Sequence, residues 1–203
     1  MKIGIIDYGV GNIKSIENAI VKVGGDPVLT NVREETLSCD KLILPGVGAF
    51  QTGMKNLKKK KLDVVIKEFV NTKKPFLGIC LGMQMLFDES EEFGNYKGLG
   101  LINGVVKKIP TDKRLPHIGW NEINPINHWE NTILENIKPN SKMYFVHTFA
   151  GYPEKEIDYL ASTDYEDIKI CAAVNKENIY GTQFHPEKSG TIGLSILETF
   201  IKI

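Results

Sequence analysis

The chain has 203 residues, enough to bury one good core, and no Pro/Gly/Ser-rich linker divides it, so one domain over 1–203 is expected. Twenty-five basic residues balance twenty-five acidic ones, which argues against nucleic acid or an anionic membrane as the main partner and for a small substrate. The longest apolar runs, such as Ile3 to Ile6 and Pro75 to Ile79, fall far short of the roughly 20 residues that span a bilayer.

The N-terminal run from Met1 breaks off at Asp7 and Gly9 before any signal-like apolar region develops, so a cytoplasmic chain is expected. Short β-rich runs then alternate with helical patterns, the mark of βαβ units around a buried, mainly parallel sheet. Strands are predicted at Lys2–Asp7, Pro27–Thr30, Lys41–Leu44 and Pro75–Ile79. Ile13, Ile16, Ala19, Ile20 and Val23 recur at helical spacing and stop at Gly24-Gly25, and Leu62, Val65, Ile66, Phe69 and Val70 repeat the pattern. Lys58 to Lys61 reads as the solvated end of a helix rather than as a basic patch. A helical run is predicted from Leu81 to Phe87. Beyond about residue 100, shorter β-like runs near Val105, Asn121, Tyr144, Tyr159, Ile170 and Ile179 predict antiparallel additions to the sheet. Ile192, Leu194, Ile196, Leu197 and Phe200 predict a closing amphipathic helix. Cys39, Cys80 and Cys171 lie far apart and form no C-x-x-C pair, so neither a disulfide framework nor a zinc site is indicated.

Gly78-Ile79-Cys80-Leu81-Gly82 has the G-x-nucleophile-x-G form between a buried strand and a helical run, the setting of a nucleophile elbow. Such a turn strains the nucleophile's backbone and leaves no room for side chains at the flanking glycines. A helix N-terminus beneath the sulfur favours negative charge there, and the Leu81 N–H is placed to meet an oxyanion. By itself the pattern is also met by a buried cysteine between chance glycines. Among His117, His128, His147 and His185, the last makes the best base: in Gln183-Phe184-His185-Pro186-Glu187 an extended backbone puts Glu187 and His185 on one face, and Pro186 stiffens it. A surface His–Glu pair would read the same way. Together the two segments supply a nucleophile, a base and an orienting acid in the order Cys, His, Glu, which differs from the α/β-hydrolase order.

Gly78-Ile79-Cys80-Leu81-Gly82-Met83-Gln84 and Gly181-Thr182-Gln183-Phe184-His185-Pro186-Glu187 resemble the two signatures of class I (triad) glutamine amidotransferases. Asp7 to Asn12, Pro116 to Asn121 and Tyr144 to Thr148 are similar to segments characteristic of the glutaminase subunits of imidazole glycerol phosphate synthase. The resemblance runs from end to end of the chain. It implies a flavodoxin-like α/β glutaminase fold, a mainly parallel sheet with antiparallel additions and flanking helices, and a site at the carboxyl ends of the strands. It also implies that Cys80 attacks the carboxamide of glutamine, that His185 shuttles the proton and that Glu187 orients His185. Gln84 would touch the substrate, Glu92 would hold its α-amino group, and backbone at Thr148 and Phe149 would meet it too. Phe149 stands where many relatives carry tyrosine. Gly46, Val47 and Gly48 match the family's oxyanion strand, whose N–H would join that of Leu81. No metal or organic cofactor is implied. The implied partner is a (β/α)8 cyclase subunit that accepts ammonia and makes imidazole glycerol phosphate and AICAR in histidine biosynthesis, as half of a heterodimer.

Asn12, Trp120 and Lys188 are read as partner-interface residues, with Asn12 exposed. Gly9 and Gly11 lack the third glycine of a dinucleotide loop. His117 and His147 are read as core or interface histidines. Two alternatives stay open at this level. One is a paralogous glutaminase feeding a sugar-modifying amidotransferase in surface-glycan biosynthesis. The other is a catalytically silent regulatory partner, against which the complete Cys80–His185–Glu187 set argues.

Overall fold

The computed structural model describes residues 1–203. The first half reads β1 (Lys2–Ile6), α1 (Ile13–Lys22), β2 (Asp26–Thr30), α2 (Arg33–Ser38), β3 (Lys41–Leu44), α3 (Phe50–Lys59), α4 (Leu62–Asn71), β4 (Phe76–Ile79), α5 (Leu81–Gln84) and β5 (Phe87–Ser90). There follow β6 (Tyr96–Lys97), β7 (Ile102–Lys108), β8 (His117–Pro125), β9 (Ser141–His147), β10 (Phe149–Pro153), β11 (Tyr159–Tyr165), β12 (Ile168–Lys176), β13 (Ile179–Thr182) and α6 (Gly190–Lys202).

A nine-stranded sheet in the order β2-β1-β3-β4-β13-β12-β11-β8-β9 forms the spine. Every residue of β3, β4 and β13 is buried, as interior strands covered on both faces require. The five strands from β2 to β13 run parallel, and β12, β11, β8 and β9 follow, each antiparallel to its neighbour. One large core cluster joins Ile3, Ile5, Ile20 and Leu77 to Phe184, Leu197 and Phe200, so α1 and α6 cover one face together. A second joins Leu42, Leu44, Leu57, Ile66, Phe69 and Met83. The parallel strands, α1, α4 and α6 therefore stand where the sequence predicts them, and Lys58 to Lys61 are exposed.

Four expectations are corrected. The run near Ile179 is parallel to β4, with Gly181 opposite Gly78 and Thr182 opposite Ile79, and is antiparallel only to β12. The run near Val105 does not join the main sheet: β7 builds a separate four-stranded sheet, ordered β10-β7-β5-β6. The helix predicted to reach Phe87 stops after Gln84, because the Leu86 carbonyl accepts the Leu101 and Ile102 N–H groups at 2.8 and 3.0 Å and Phe87 enters β5. One further helix, α2, lies where none was predicted, held by its buried Thr36, while α3, whose solvated end the lysine run marks, is held by Phe50, Met54 and Leu57.

Candidate active site

Cys80 stands at the carboxyl end of β4 with φ +55° and ψ −110°, a strained conformation for a residue bearing a side chain. Its N–H donates to the Thr182 carbonyl at 2.7 Å and its carbonyl accepts the Gln84 N–H at 3.1 Å, which pins the turn on both sides. The turn requires its glycines through close approach. A Cβ on Gly82 would lie 1.9 Å from the Leu44 carbonyl oxygen, and one on Gly78 would lie 2.7 Å from that of Gly82. This is the elbow geometry that the G-x-C-x-G spacing predicts.

His185 lies just past β13, the strand beside β4, and its N–H is fixed by the Tyr144 carbonyl at 3.0 Å. His185 Nδ1 meets Glu187 Oε1 at 2.8 Å, and the two side chains are 2% and 0% exposed. The route to that contact differs from the extended pairing expected. His185 is extended, but Pro186–Lys188 form a 3-10 turn with Pro186 at its start, which curls Glu187 back toward the ring. His185 Nε2 is buried and makes no hydrogen bond of standard geometry within the protein. Burial by itself lowers the imidazole's affinity for a proton, but the Cys80 thiol beside it and the Glu187 carboxylate outweigh that and hold its pKa up to about 10.

These groups open onto a cavity of about 330 Å³ whose walls include Val47, Gly48, Leu81, Gln84, Glu92, Thr148 and Phe149. Pro116, Val146 and His147 complete it and were not foreseen as wall residues. Gly46 is not in the wall. It packs behind it, where a Cβ would come within 2.7 Å of Tyr8 Oη and 2.8 Å of the Gly82 nitrogen. Val47 is 41% exposed at the rim, and Gly48 has φ +93° with open space around it. Tyr8 escaped the sequence reading: it is buried, donates its hydroxyl to the Pro45 carbonyl at 2.7 Å, and is kept neutral by that burial.

Both N–H groups of Gln84 are spent, on the Phe149 carbonyl at 2.8 Å and on Gln183 Oε1 at 3.0 Å. The reverse amide orientation would set an acceptor against two acceptors, so Gln84 presents its carbonyl oxygen to the cavity. Glu92 Oε2 accepts the Phe50 N–H at 2.6 Å at the start of α3, leaving Oε1 for a cationic group. The Phe149 carbonyl is occupied by Gln84 and by His147 Nδ1 at 2.8 Å, and the Thr148 carbonyl by the Ile109 N–H at 3.1 Å. Both carbonyls therefore already have partners within the protein. Phe149 keeps its ring at the site, where the exposed Phe93 meets it edge-on with 6.2 Å between centroids.

His117 and His147 are core residues, as expected. His117 Nδ1 and His147 Nε2 are 3.0 Å apart, and His117 Nε2 meets Asn121 Oδ1 at 2.8 Å. Burial pulls His147 down to about 3 and lowers His117 as well. Beside the cavity, Trp120 is 53% exposed, stacks edge-on to Tyr144 at 6.0 Å, and Lys188 Nζ sits 5.9 Å from the same tyrosine ring. Asn12 is half-buried rather than exposed, because the Ser15 hydroxyl donates to its side-chain oxygen at 2.9 Å.

The sequence profile of the glutamine amidotransferase class-I family matches residues 4–203. The imidazole glycerol phosphate synthase subunit HisH 1 of Legionella pneumophila (strain Lens) is 47% identical over 99% of each chain. The HisH subunit of Methanocaldococcus jannaschii is 46% identical, again over 99% of each. Among solved structures, a putative GMP synthase protein from Thermoplasma acidophilum superposes with a TM-score of 0.73 at 21% identity, covering 100% of this chain and 92% of that one. PurLQS from Thermotoga maritima gives 0.76 at 17% identity, covering 99% and 97%, so the two agree in fold. An end-to-end match to the family, at nearly half identity to full-length relatives, places the chain among the class-I glutamine amidotransferases, in the HisH family.

Proposed function

We propose that the chain is the glutaminase subunit of an imidazole glycerol phosphate synthase, and that Cys80, His185 and Glu187 perform its chemistry. Cys80 Sγ gives its proton to His185 Nε2 and attacks the carboxamide carbon of glutamine. The proton then passes from His185 to the leaving nitrogen, and the C–N bond breaks to give ammonia and a γ-glutamyl thioester. Water, deprotonated by the same ring, opens the thioester, returning the thiol and releasing glutamate. Glu187 holds Nδ1–H and with it the orientation of Nε2. The Gln84 carbonyl oxygen accepts from the carboxamide NH₂, which a carboxylate lacks, and Glu92 takes the α-ammonium. The Leu81 N–H and the Val47–Gly48 peptide are the proposed oxyanion donors.

The observation that carries this reading is that His185, paired in the interior with Glu187 at 2.8 Å, opens with Cys80 onto one cavity. The partner is a (β/α)8 cyclase that receives the ammonia within a cytoplasmic heterodimer and makes imidazole glycerol phosphate and AICAR. The exposed Ile118 and Trp120, with Lys188 and Val47, supply an apolar and cationic face beside the cavity for it. The test is Cys80→Ala in the reconstituted complex. Glutamine-dependent synthesis is expected to disappear while ammonia-dependent synthesis stays within about twofold of wild type; glutamine-dependent turnover that survives removes the nucleophile assignment.

A further inference from the structure

A thiolate in a buried site needs donors, and the elbow supplies fewer than its sequence suggests. The helix behind Cys80 is α5, only four residues long, so little macrodipole stands beneath the sulfur. The missing donor lies on the neighbouring strand. Because Thr182 pairs with Ile79 across β13 and β4, the next residue of each strand, Gln183 and Cys80, come side by side. Gln183 is 0% exposed, and the sole partner of its side-chain nitrogen is Cys80 Sγ at 3.8 Å.

The orientation of this amide is fixed from a distance. His147 Nδ1–H and Gln84 Nε2–H both donate to the Phe149 carbonyl, and Gln84 Nε2–H also donates to Gln183 Oε1 at 3.0 Å. Turning Gln183 over would set two NH₂ groups against each other and an oxygen against sulfur. The chain of donors therefore has one polarity, and it ends with an N–H aimed at the nucleophile. Towards a neutral thiol at 3.8 Å that N–H does little. Towards sulfur carrying a full negative charge, away from water, it becomes a charge-assisted hydrogen bond.

We propose that Gln183 is a further catalytic residue, an amide donor that stabilises negative charge on Cys80 before attack and again when the thioester opens. It transfers no proton: the Cys80 proton goes to His185, and Gln183 keeps both of its own. The inference rests on Cys80 being the nucleophile, but it can be read without any glutamine turnover.

The test uses Gln183→Glu, which keeps an acceptor for Gln84 and loses the amide donor, and Gln183→Met, which removes both. Iodoacetamide alkylates thiolates, so the rate at which Cys80 is modified, followed by peptide mass on the isolated chain at pH 7.5, reports charge on that sulfur alone. Losing a hydrogen bond to a charged group predicts a fall of roughly tenfold to a hundredfold in that rate for both variants. In the complex, kcat for glutamine should fall by a similar factor, with KM for glutamine within about threefold of wild type and ammonia-dependent synthesis retained. Alkylation within twofold of wild type in variants of unchanged melting temperature, or a rise in KM alone, overturns the proposal and leaves Gln183 as a support for Gln84. Should either variant fail to fold, the wild type still decides: the side-chain amide nitrogen resonance of Gln183 must shift in step with thiolate absorbance at 240 nm, and a flat response overturns it. A wild type that alkylates as predicted yet hydrolyses no glutamine with any partner would instead refute the glutaminase reading.

Discussion

Glu187 should matter less than His185, by an amount the structure sets. Its carboxylate is wholly shielded, touches Nδ1 at 2.8 Å through Oε1, and has no partner on Oε2. Glu187→Ala thus removes one charge-assisted hydrogen bond, about 1.5–3 kcal/mol, which lowers kcat by roughly 10- to 150-fold. Glu187→Gln should fall close to it, because the new NH₂ finds no acceptor where Oε2 finds no donor, and turning it toward the ring imposes the wrong tautomer. His185→Ala removes the base altogether, a loss on the order of 10²–10⁴ from proton transfer alone, with thiol activation lost besides. We therefore expect His185→Ala to be at least about tenfold slower than Glu187→Ala at saturating glutamine. The assay is glutamate release by the complex with its cyclase ligand bound, with a thermal melt on each variant. Equal losses for the two alanine variants would refute the division of labour, and a His185→Ala rate within twofold of wild type would refute the triad.

Two other predictions concern the scaffold. Gly82→Ala forces a Cβ to 1.9 Å from the Leu44 carbonyl oxygen, so β3 and the elbow must part. It should cost about 1–3 kcal/mol or more, lower the melting temperature by roughly 2–12 °C, and abolish measurable glutaminase activity. His147, pulled down to about 3 by burial, stays neutral in the fold, whereas the unfolded chain takes up a proton below pH of about 6.5. Its contribution is complete above that pH and is lost as pH falls from about 6.5 to 3, roughly 4–5 kcal/mol in all. Urea unfolding of wild type and His147→Gln at pH 7.5 and 4.5 should therefore show a shallower acid loss in the variant; parallel losses would contradict the neutral assignment.

The sequence was most legible where one physical rule acts alone. β1, β3 and β4 are short and apolar apart from the leading Lys2 and Lys41, as buried parallel strands are, and α1 carries its stop in Gly24-Gly25. Cys80 and His185 were legible because a strained elbow and an H-P-E run constrain the backbone itself. The second sheet was not, because the β-like run Ile102–Lys108 says that a strand is there and nothing about which neighbour it pairs with. The run from Leu81 to Phe87 misled because a short, mostly apolar stretch does not show where a helix stops; hydrogen bonds from Leu101 and Ile102, well downstream, end it. Asn12 was misplaced because the Ser15 hydroxyl holds its side-chain oxygen, a local contact that hydropathy does not record. Gln183 lay in plain view inside a motif, but nothing local distinguishes a polar residue that packs from one whose N–H faces a sulfur on the adjoining strand.

A glutaminase that ran unattended would spill ammonia, so the proposed partnership predicts control across the interface to the cyclase. Val47 lies exposed at the cavity rim beside Gly48, which has φ +93° and open space around it, so the Val47–Gly48 peptide can turn over at little steric cost and so make or remove the proposed oxyanion donor, worth roughly 3–4 kcal/mol. The most direct measurement is glutamate release by the purified chain alone, with its (β/α)8 cyclase, and with cyclase plus the cyclase's own ligand. The account predicts a poor glutaminase alone and a rise of about a hundredfold to a thousandfold in the liganded complex, whereas equal rates in all three would contradict both the switch and the partnership.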